Sequence, residues 1–181
     1  SPADAFAASG GFSSTQGGNQ WYYKHGSLLG TPSGNMTYDG SLQRWHHVSD
    51  TFDYVARFYQ HTGDSNDSFR TFQAPRSGTV LILSSVTDGN NACNNDGVRV
   101  RVLLNSAEAI PWTHVPRYAT NSLLAVPLKV TTGDQLHFQV NKNANKDCDA
   151  TVWNPVIVYL DENCLIPPDD TDADGLADYL E

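Results

Sequence analysis

Basic residues are scarce in this chain, in which 11 lysines and arginines stand against 20 acidic residues for a net charge of -9. A field of this sign repels the phosphates of nucleic acids and of anionic membranes. No apolar stretch approaches the roughly 18 residues that a membrane-spanning helix needs. The segment SPADAFAASG is neither basic nor apolar enough for a signal peptide. We therefore expect no nucleic-acid partner, no membrane partner, and an export signal that has already been removed.

Cysteine is also rare, and the three cysteines permit one disulfide with one thiol, that of Cys164, left over. Cys93 and Cys148 lie in the polar turns NNACNNDG and NKDCDAT, each before a strand-like run. A bridge between them would tie two loops at one end of a sheet. We predict a Cys93–Cys148 disulfide and a secreted or cell-surface location.

Helical periodicity is nearly absent, and Gly, Asn, Ser and Thr separate short apolar runs. In GVRVRVLL, Val98, Val100 and Val102 face one way, whereas Arg99 and Arg101 face the other. This period of two is typical of a strand with one buried face.

The segment DQLHFQVN repeats the alternation. Leu136, Phe138 and Val140 are predicted to enter the core, and the residues that project from the opposite face are Gln135, His137, Gln139 and Asn141. Six further segments are predicted to contain strands: QWYYKH, FDYVARFY, SFRTFQA, GTVLILSSV, LLAVPLKV and TVWNPVIVYL. A continuous apolar run such as TVLIL indicates a strand covered on both sides. The pattern predicts an all-β protein, an antiparallel β-sandwich of jelly-roll type with about eight strands.

The length of 181 residues suits one substantial domain. We expect a leader over residues 1–9, a β-sandwich over 10–160, a linker over 161–168 and a separate acidic tail over 169–181. We expect a monomer.

Five segments follow one another across most of residues 10–160: FSSTQGGNQWYY, FYQHTGDSNDSFRTFQAPRSGTV, NNDGVRVRVLLN, VTTGDQLHFQVN and DATVWNPVIVYL. Their order resembles that of β-sandwich modules attached to secreted bacterial polysaccharide lyases and glycoside hydrolases. In such modules a pattern like that of Asp149, Thr151, Trp153 and Pro155 closes the domain with its last strand. The resemblance implies carbohydrate binding by a module that is covalently linked to a catalytic or other domain.

Sugar binding needs aromatic rings for C–H faces and planar polar groups for hydroxyls or carboxylates. Two stretches expected to be turns or loops, RWHH and PWTHVPRY, and the outward faces of two strands supply them. The candidates are Trp45, His46, His47, Arg99, Arg101, Trp112, His114, Arg117, Tyr118, His137 and Gln139. The alternative is that Trp45 and Trp112 belong to the core and that Arg99 and Arg101 form a solvated sheet face. Trp21 and Trp153 lie in strand-like runs and are predicted to be core residues.

The segment DDTDADGLADYLE has the spacing of a calcium loop. Counted from Asp170, Gly175 occupies the sixth position, where the chain must turn, and the predicted ligands are Asp170, Asp172, Asp174, the Leu176 carbonyl, Asp178 and Glu181. No entering helix precedes the loop, so it resembles the thrombospondin type 3 calcium repeats that bacterial proteins place between modules. We expect a structural Ca²⁺ ion and the first unit of a linker; the alternative is a solvated acidic tail.

A second calcium site is suggested where TDGNNACNNDG meets NKDCDAT. Its ligands would be Asp88, Asn90, Asp96, Asp147 and Asp149, gathered by the predicted disulfide. Asn, Asp and Gly also dominate ordinary tight turns, which is the alternative.

The sequence favours a non-catalytic carbohydrate-binding module of a secreted multimodular bacterial enzyme. Seven of the eleven basic residues are arginine, which suits carboxylate recognition and favours an acidic glycan such as alginate or pectin. A jelly-roll lyase is the catalytic alternative, because QLHFQ resembles the Q-I-H element of one alginate lyase family. The arginine-rich strand and the tyrosine and lysine strand of that family are not found, so only a fragment matches. A structural or adhesion spacer is a further alternative.

Overall fold

In a computed structural model of the chain, residues 5–89, 96–124 and 127–160 are described. This part holds sixteen strands and one short 3-10 helix, Gly18–Gln20. The strands are β1 Ala5–Ala7, β2 Trp21–Ser27, β3 Pro32–Asn35, β4 Thr37–Asp39, β5 Arg44–His47, β6 Asp50–Ala56, β7 Tyr59–His61, β8 Asn66–Gln73, β9 Gly78–Asp88, β10 Val98–Leu104, β11 Ala107–Val115, β12 Thr120–Leu124, β13 Leu128–Val130, β14 Gln135–Asn141, β15 Thr151–Trp153 and β16 Val156–Leu160. Within these ranges no helix is long and apolar enough to span a membrane.

The strands form two antiparallel sheets. Sheet A has the order β1-β16-β9-β15-β7-β6-β5-β4, and β12 and β13 pair with β9 as well. Sheet B has the order β11-β10-β14-β8-β2-β3. The predicted all-β antiparallel sandwich is confirmed, but the described part of the chain contains sixteen strands rather than about eight.

The larger number arises because three predicted strands are interrupted and because five strands lie in segments that were not predicted to be strands: β1, β3, β4, β5 and β11. FDYVARFY breaks into β6 and β7, LLAVPLKV into β12 and β13, and TVWNPVIVYL into β15 and β16 around Pro155. Proline has no backbone N–H for a sheet ladder, which explains the last break. The expectation that TVLIL is covered on both sides was wrong, because Leu83 of β9 is 41% exposed on the outer side.

The core lies between the two sheets and follows the predicted alternation. The inward side chains of β10 and β14 are buried: Val98, Val100, Val102, Leu136, Phe138 and Val140. Trp21 and Trp153 are fully buried, as predicted. The Nε1 group of Trp153 donates to the Ser84 hydroxyl (2.9 Å), so its polar atom is satisfied.

A buried arginine connects the sheets. Arg70 of β8 is fully buried, and its Nη2 and Nη1 atoms donate to the carbonyls of Ala56 (2.6 Å) and Arg57 (2.9 Å) at the end of β6. Burial lowers the pKa of Arg70 to about 10. The guanidinium therefore fixes β6 of sheet A against β8 of sheet B.

Candidate functional site

The outer side of sheet B gathers most of the residues that the sequence singles out. On the adjacent strands β10 and β14, Arg99 lies opposite Asn141, Arg101 opposite Gln139, and Leu103 opposite His137. We call the outward side chains of β2, β8, β14, β10 and β11 the polar face; its chemistry-bearing members are Tyr22, Lys24, Asp67, Thr71, Arg99, Arg101, Glu108, Trp112, His114, His137, Gln139 and Asn141. Six predicted residues are brought together here: Arg99, Arg101, Trp112, His114, His137 and Gln139.

One end of the polar face holds the loop between β2 and β3. Buried Asp67 accepts hydrogen bonds from the Leu29 amide (2.7 Å), from Gln139 Nε2 (2.6 Å) and from Asn141 Nδ2 (2.7 Å). Arg101 Nη2 donates to the carbonyls of Leu29 (3.0 Å) and Gly30 (2.7 Å). Gln139 is fully buried and holds Asp67 in place. Its predicted role as a direct contact to the ligand was therefore wrong.

Gly26 makes this close approach of the loop possible. A β-carbon at that position would collide with the Thr31 carbonyl and would meet the Phe69 ring at 3.0 Å. A side chain at Gly26 would therefore displace the loop from the polar face.

The other end of the polar face is built around His137. Its Nδ1 atom is hydrogen bonded to the Thr71 hydroxyl (2.8 Å), and Lys24 Nζ donates to Gln135 Oε1 (2.9 Å). Burial, with the Lys24 charge as a second cause, lowers the pKa of His137 to about 4. At neutral pH the imidazole is uncharged, so Lys24 is the cation at this end. His137 is buried and contributes to the floor of the face.

Trp112 lies on β11, not in a loop as predicted. The strand is at the edge of sheet B, and Pro111, which cannot donate to the ladder, falls at the register shift between the Val102–Ile110 and Val100–Thr113 pairs. The Arg101 guanidinium carbon is 4.5 Å from the centre of the Trp112 ring and Arg101 Nη1 is 3.7 Å from Glu108 Oε2. Trp112 is half-buried, so part of its ring faces solvent.

Trp45 is not a sugar platform in this fold. It lies on β5, is only 4% exposed, and stacks on Tyr23 with ring centres 5.1 Å apart. Its Nε1 atom donates to the Ser13 carbonyl (2.9 Å). The prediction placed it in a turn-rich stretch, but the hairpin of β4 and β5 turns the ring into the core.

The remaining sugar-binding candidates lie on sheet A and in the loop after β11. His46 is opposite Tyr54 in sheet A, and the His47 ring lies 4.1 Å from that of His25. Arg117 and Tyr118 are in the loop between β11 and β12, where the guanidinium carbon is 4.4 Å from the Tyr118 ring centre. His46 and His47 therefore belong to the other sheet than Arg99 and Arg101, whereas the loop of Arg117 and Tyr118 follows His114, the partner of Arg99.

The calcium predictions are only partly within the described residues. Asn90 and Cys93 lie outside them, as do Cys164 and the tail ligands Asp170, Asp172, Asp174, Leu176, Asp178 and Glu181. The Cys93–Cys148 bridge and the tail site therefore stay predictions. Across residues 5–89, 96–124 and 127–160, no group of three or more His, Cys, Asp or Glu side chains is positioned to hold a metal.

Asp149 nevertheless has an unusual setting. Its side chain is fully buried, and neither carboxylate oxygen has a hydrogen-bond partner in the described part of the chain. Burial and then the charges of Asp96, Asp88 and Asp147 raise its pKa to about 8. Asp96 instead accepts hydrogen bonds from Asn143 Nδ2 (2.8 Å) and from the Ala144 amide (2.9 Å).

Six members of the polar face were not among the predicted site residues: Tyr22, Lys24, Asp67, Thr71, Glu108 and Asn141. Of these, Tyr22 and Lys24 are partly exposed and lie together on β2. The signal was present in QWYYKH, where Trp21 and Tyr23 alternate with Tyr22 and Lys24. What the sequence did not give was the pairing of β2 with β8, which brings Lys24 near His137.

Comparison with known proteins gives no family assignment, since no family model and no curated protein matches the chain. Solved structures with a similar arrangement include a GH26-CBM35 β-(1,4)-mannanase from Podospora anserina, with 13% identity and a TM-score of 0.40, covering 77% of this chain and 28% of that one. The chain thus spans well under a third of the mannanase. A family 35 carbohydrate-binding module from Clostridium thermocellum has 10% identity and a TM-score of 0.35, covering 87% of this chain and 93% of that one.

A protein of another kind is similar to the same degree. GITRL from pika has 12% identity and a TM-score of 0.34, covering 60% of this chain and 88% of that one. Similarities this weak carry no argument about ligand or activity, so the function has to be argued from the side chains.

Proposed function

We propose that this chain is a non-catalytic polysaccharide-binding module and that the polar face is its binding surface. The observation that carries the proposal is a set of exposed or partly exposed cationic and aromatic side chains on β2, β10 and β11, namely Tyr22, Lys24, Arg99, Arg101 and Trp112, which flank a buried polar floor on β8 and β14. Strands lie about 4.8 Å apart, so the four intervals from β2 to β11 span about 19 Å. This width accommodates several units of an extended glycan without a deep cavity.

An acidic glycan such as alginate or pectin is the favoured ligand class. Exposed Arg99 and the partly exposed Lys24 supply positive charge, whereas the charge of Arg101 is paired with exposed Glu108 and Asp67 is buried beneath the loop. Trp112 offers part of its ring to a sugar C–H face. The net charge of the whole chain repels a polyanion. Binding of an acidic glycan therefore depends on the positively charged side chains that are gathered on this face.

We also propose that the module is secreted, that it is linked covalently to a catalytic or other module of a bacterial enzyme, and that it holds polysaccharide near that module. Structural Ca²⁺ in the tail and beside Asp149 belongs to the same proposal. Support for the second ion comes from the unpartnered, buried carboxylate of Asp149, whose repulsion by neighbouring acids a cation would relieve.

A polysaccharide lyase is the second candidate, and the setting of His137 is the observation that favours it. The imidazole is neutral at pH 7, and when Nδ1 donates to Thr71 the Nε2 lone pair is left to accept a proton. Tyr22 and Lys24 lie on the same face. However, His137 is buried, which limits its contact with a substrate.

Affinity electrophoresis against alginate, pectin and neutral polysaccharides, with an assay for new reducing ends and unsaturated sugars, separates these functions. Retardation by an acidic polysaccharide without products supports the binding module, and it should weaken as salt rises. Product formation supports the lyase. A protein that shows neither retardation nor products would be a spacer, and the proposal would be wrong.

A further inference from the structure

A second cluster of aromatic side chains lies on the outer side of sheet A, on strands β5, β6 and β7. The Tyr54 ring stacks on His61 with centres 5.3 Å apart and an interplanar angle of 22°. The guanidinium carbon of Arg44 lies 4.3 Å from the centre of the Tyr54 ring. Phe52, which is 57% exposed, stands 6.1 Å from His61 and projects into solvent.

These side chains line a cavity of about 580 Å³, whose far wall is the segment from Asp147 to Ala150. We call it the aromatic pocket; the residues that give it chemistry are Arg44, Phe52, Tyr54, His61 and Asp147. Because it belongs to the outer side of sheet A, it lies on the opposite side of the sandwich from the polar face.

The aromatic pocket contains an unsatisfied donor. Arg44 Nη2 donates to the Thr51 carbonyl (3.2 Å), but its buried Nε atom has no partner among the described residues. Because the Nε atom is buried, the terminal nitrogens of the guanidinium are the donors that can meet a sugar oxygen. Asp147 is exposed at the other wall, where its carboxylate can accept hydrogen bonds from hydroxyl groups.

The charges of the aromatic pocket nearly cancel. Burial lowers the pKa of His61, so the imidazole is neutral at pH 7, and Arg44 and Asp147 contribute one charge of each sign. The nearby Lys146 forms an ion pair with Asp64 (3.1 Å) and covers the Phe52 ring with its Nζ 5.2 Å from the centre. A neutral ligand therefore fits this site better than an anion, in contrast to the polar face.

We propose that the aromatic pocket binds one neutral pyranose unit of a glycan, making this a module with two glycan sites of different chemistry. The C–H face of the sugar packs on Phe52 at the edge of the Tyr54 ring, the terminal nitrogens of the Arg44 guanidinium donate to a sugar oxygen, and Asp147 accepts from hydroxyls on the same ring. With sites on opposite sides, one module can bridge two glycan chains. Binding in the aromatic pocket does not depend on the polar face, whereas the presence of two sites and the bridging rest on the proposed function.

The test is a chemical-shift titration of the ¹⁵N-labelled full chain with the methyl glycosides of glucose, galactose, mannose and xylose. At least one glycoside should shift the amides of Phe52, Tyr54, His61 and Asp147, and 0.5 M salt should leave its affinity within about twofold because the ligand is uncharged. Phe52→Ala and Arg44→Gln should each weaken binding about tenfold, the equivalent of about 1.4 kcal/mol.

The matched control is Phe58→Ala, which removes another exposed aromatic ring outside this pocket and should leave the affinity unchanged. Phe52→Ala changes a largely exposed side chain, so it remains informative if Arg44→Gln fails to fold. The proposal is overturned if no glycoside of the four shifts these amides, or if the shifts survive in the Phe52 variant.

Discussion

Arg101 and Gln139 lie directly opposite each other on β10 and β14, and Arg101 Nε donates to Gln139 Oε1 at 2.7 Å. Both residues are also connected to the loop after β2. Gln139 donates to Asp67, which holds the loop, and Arg101 donates to the carbonyls of Leu29 and Gly30. The pair therefore shapes the polar face and positions its loop, while the more exposed Arg99, Lys24 and Trp112 are left to contact a ligand.

The two tryptophans that the sequence proposed for sugar stacking should behave in opposite ways. Trp45→Ala empties a core position and should lower the free energy of unfolding by about 3–5 kcal/mol. Trp112→Ala changes a half-buried ring on an edge strand, so it should cost about 1 kcal/mol or less. Urea denaturation of both variants measures these values. Equal losses of stability would contradict the placement of the two rings.

Removal of the Asp67 carboxylate should release the loop after β2. Asp67→Ala leaves the Leu29 amide and the side-chain amides of Gln139 and Asn141 without their acceptor, at a cost of about 3 kcal/mol or more. Hydrogen exchange at Leu29 should accelerate as well. Asp64→Ala is the control, because its exposed ion pair with Lys146 contributes less than about 1 kcal/mol. Equal effects of the two variants would be inconsistent with this network.

Asp53 should make the protein less stable as pH rises. Burial, then the charges of Asp50 and Asp67, raises its pKa to about 8 from an ordinary 3.8. Between about pH 4 and pH 8 the folded state keeps a proton that the unfolded state has released, so the stability from this group is full below pH 4 and is lost as pH rises towards 8. Asp53→Asn carries no titrating proton and should flatten that fall.

Urea denaturation at each pH from 4 to 9 tests this dependence. The curves of the native protein and of Asp53→Asn should converge near pH 4 and separate towards pH 8, with the variant the more stable. Asp64→Asn, at an exposed position, should follow the native protein. Parallel curves for the native protein and Asp53→Asn would show that Asp53 does not hold a proton in the folded state.

Calcium should stabilise the chain if the proposed ions are present. Addition of Ca²⁺ after chelation should raise the melting temperature, and Asp149→Asn should reduce that increase because it removes the buried carboxylate. The double variant Asp172→Asn/Asp174→Asn tests the tail separately. Calorimetry should show that it binds one Ca²⁺ fewer than the native chain. An unchanged melting temperature and no measurable binding would exclude both ions.

The fold was predictable because its strands carry a clear period of two. Every second side chain of β10 and of β14 enters the core as expected, and the same alternation placed Arg101 and His137 on the outer side of sheet B. Strand breaks were harder to predict, since FDYVARFY and TVWNPVIVYL look continuous until pairing partners divide them.

The site was predictable in part. Periodicity shows which face a side chain takes, but only the sheet order β11-β10-β14-β8-β2 brings Trp112, Arg101, His137 and Lys24 together. The prediction for Trp45 was wrong because a turn-rich sequence around a residue does not indicate which rings cover it in the fold, here those of Tyr23 and Tyr38. The aromatic pocket was missed because Phe52 and Tyr54 were taken only as strand residues.

The measurement that tests the central claim most directly is the dissociation constant for alginate and for pectin of the native chain, Trp112→Ala, Arg99→Ala and Lys129→Ala. Lys129→Ala is matched in charge to Arg99→Ala but lies on β13 of sheet A. We predict that one of these polysaccharides binds, and that the Trp112 and Arg99 variants each bind at least about tenfold more weakly while the Lys129 variant binds like the native chain. Undiminished binding by both polar-face variants would contradict the account.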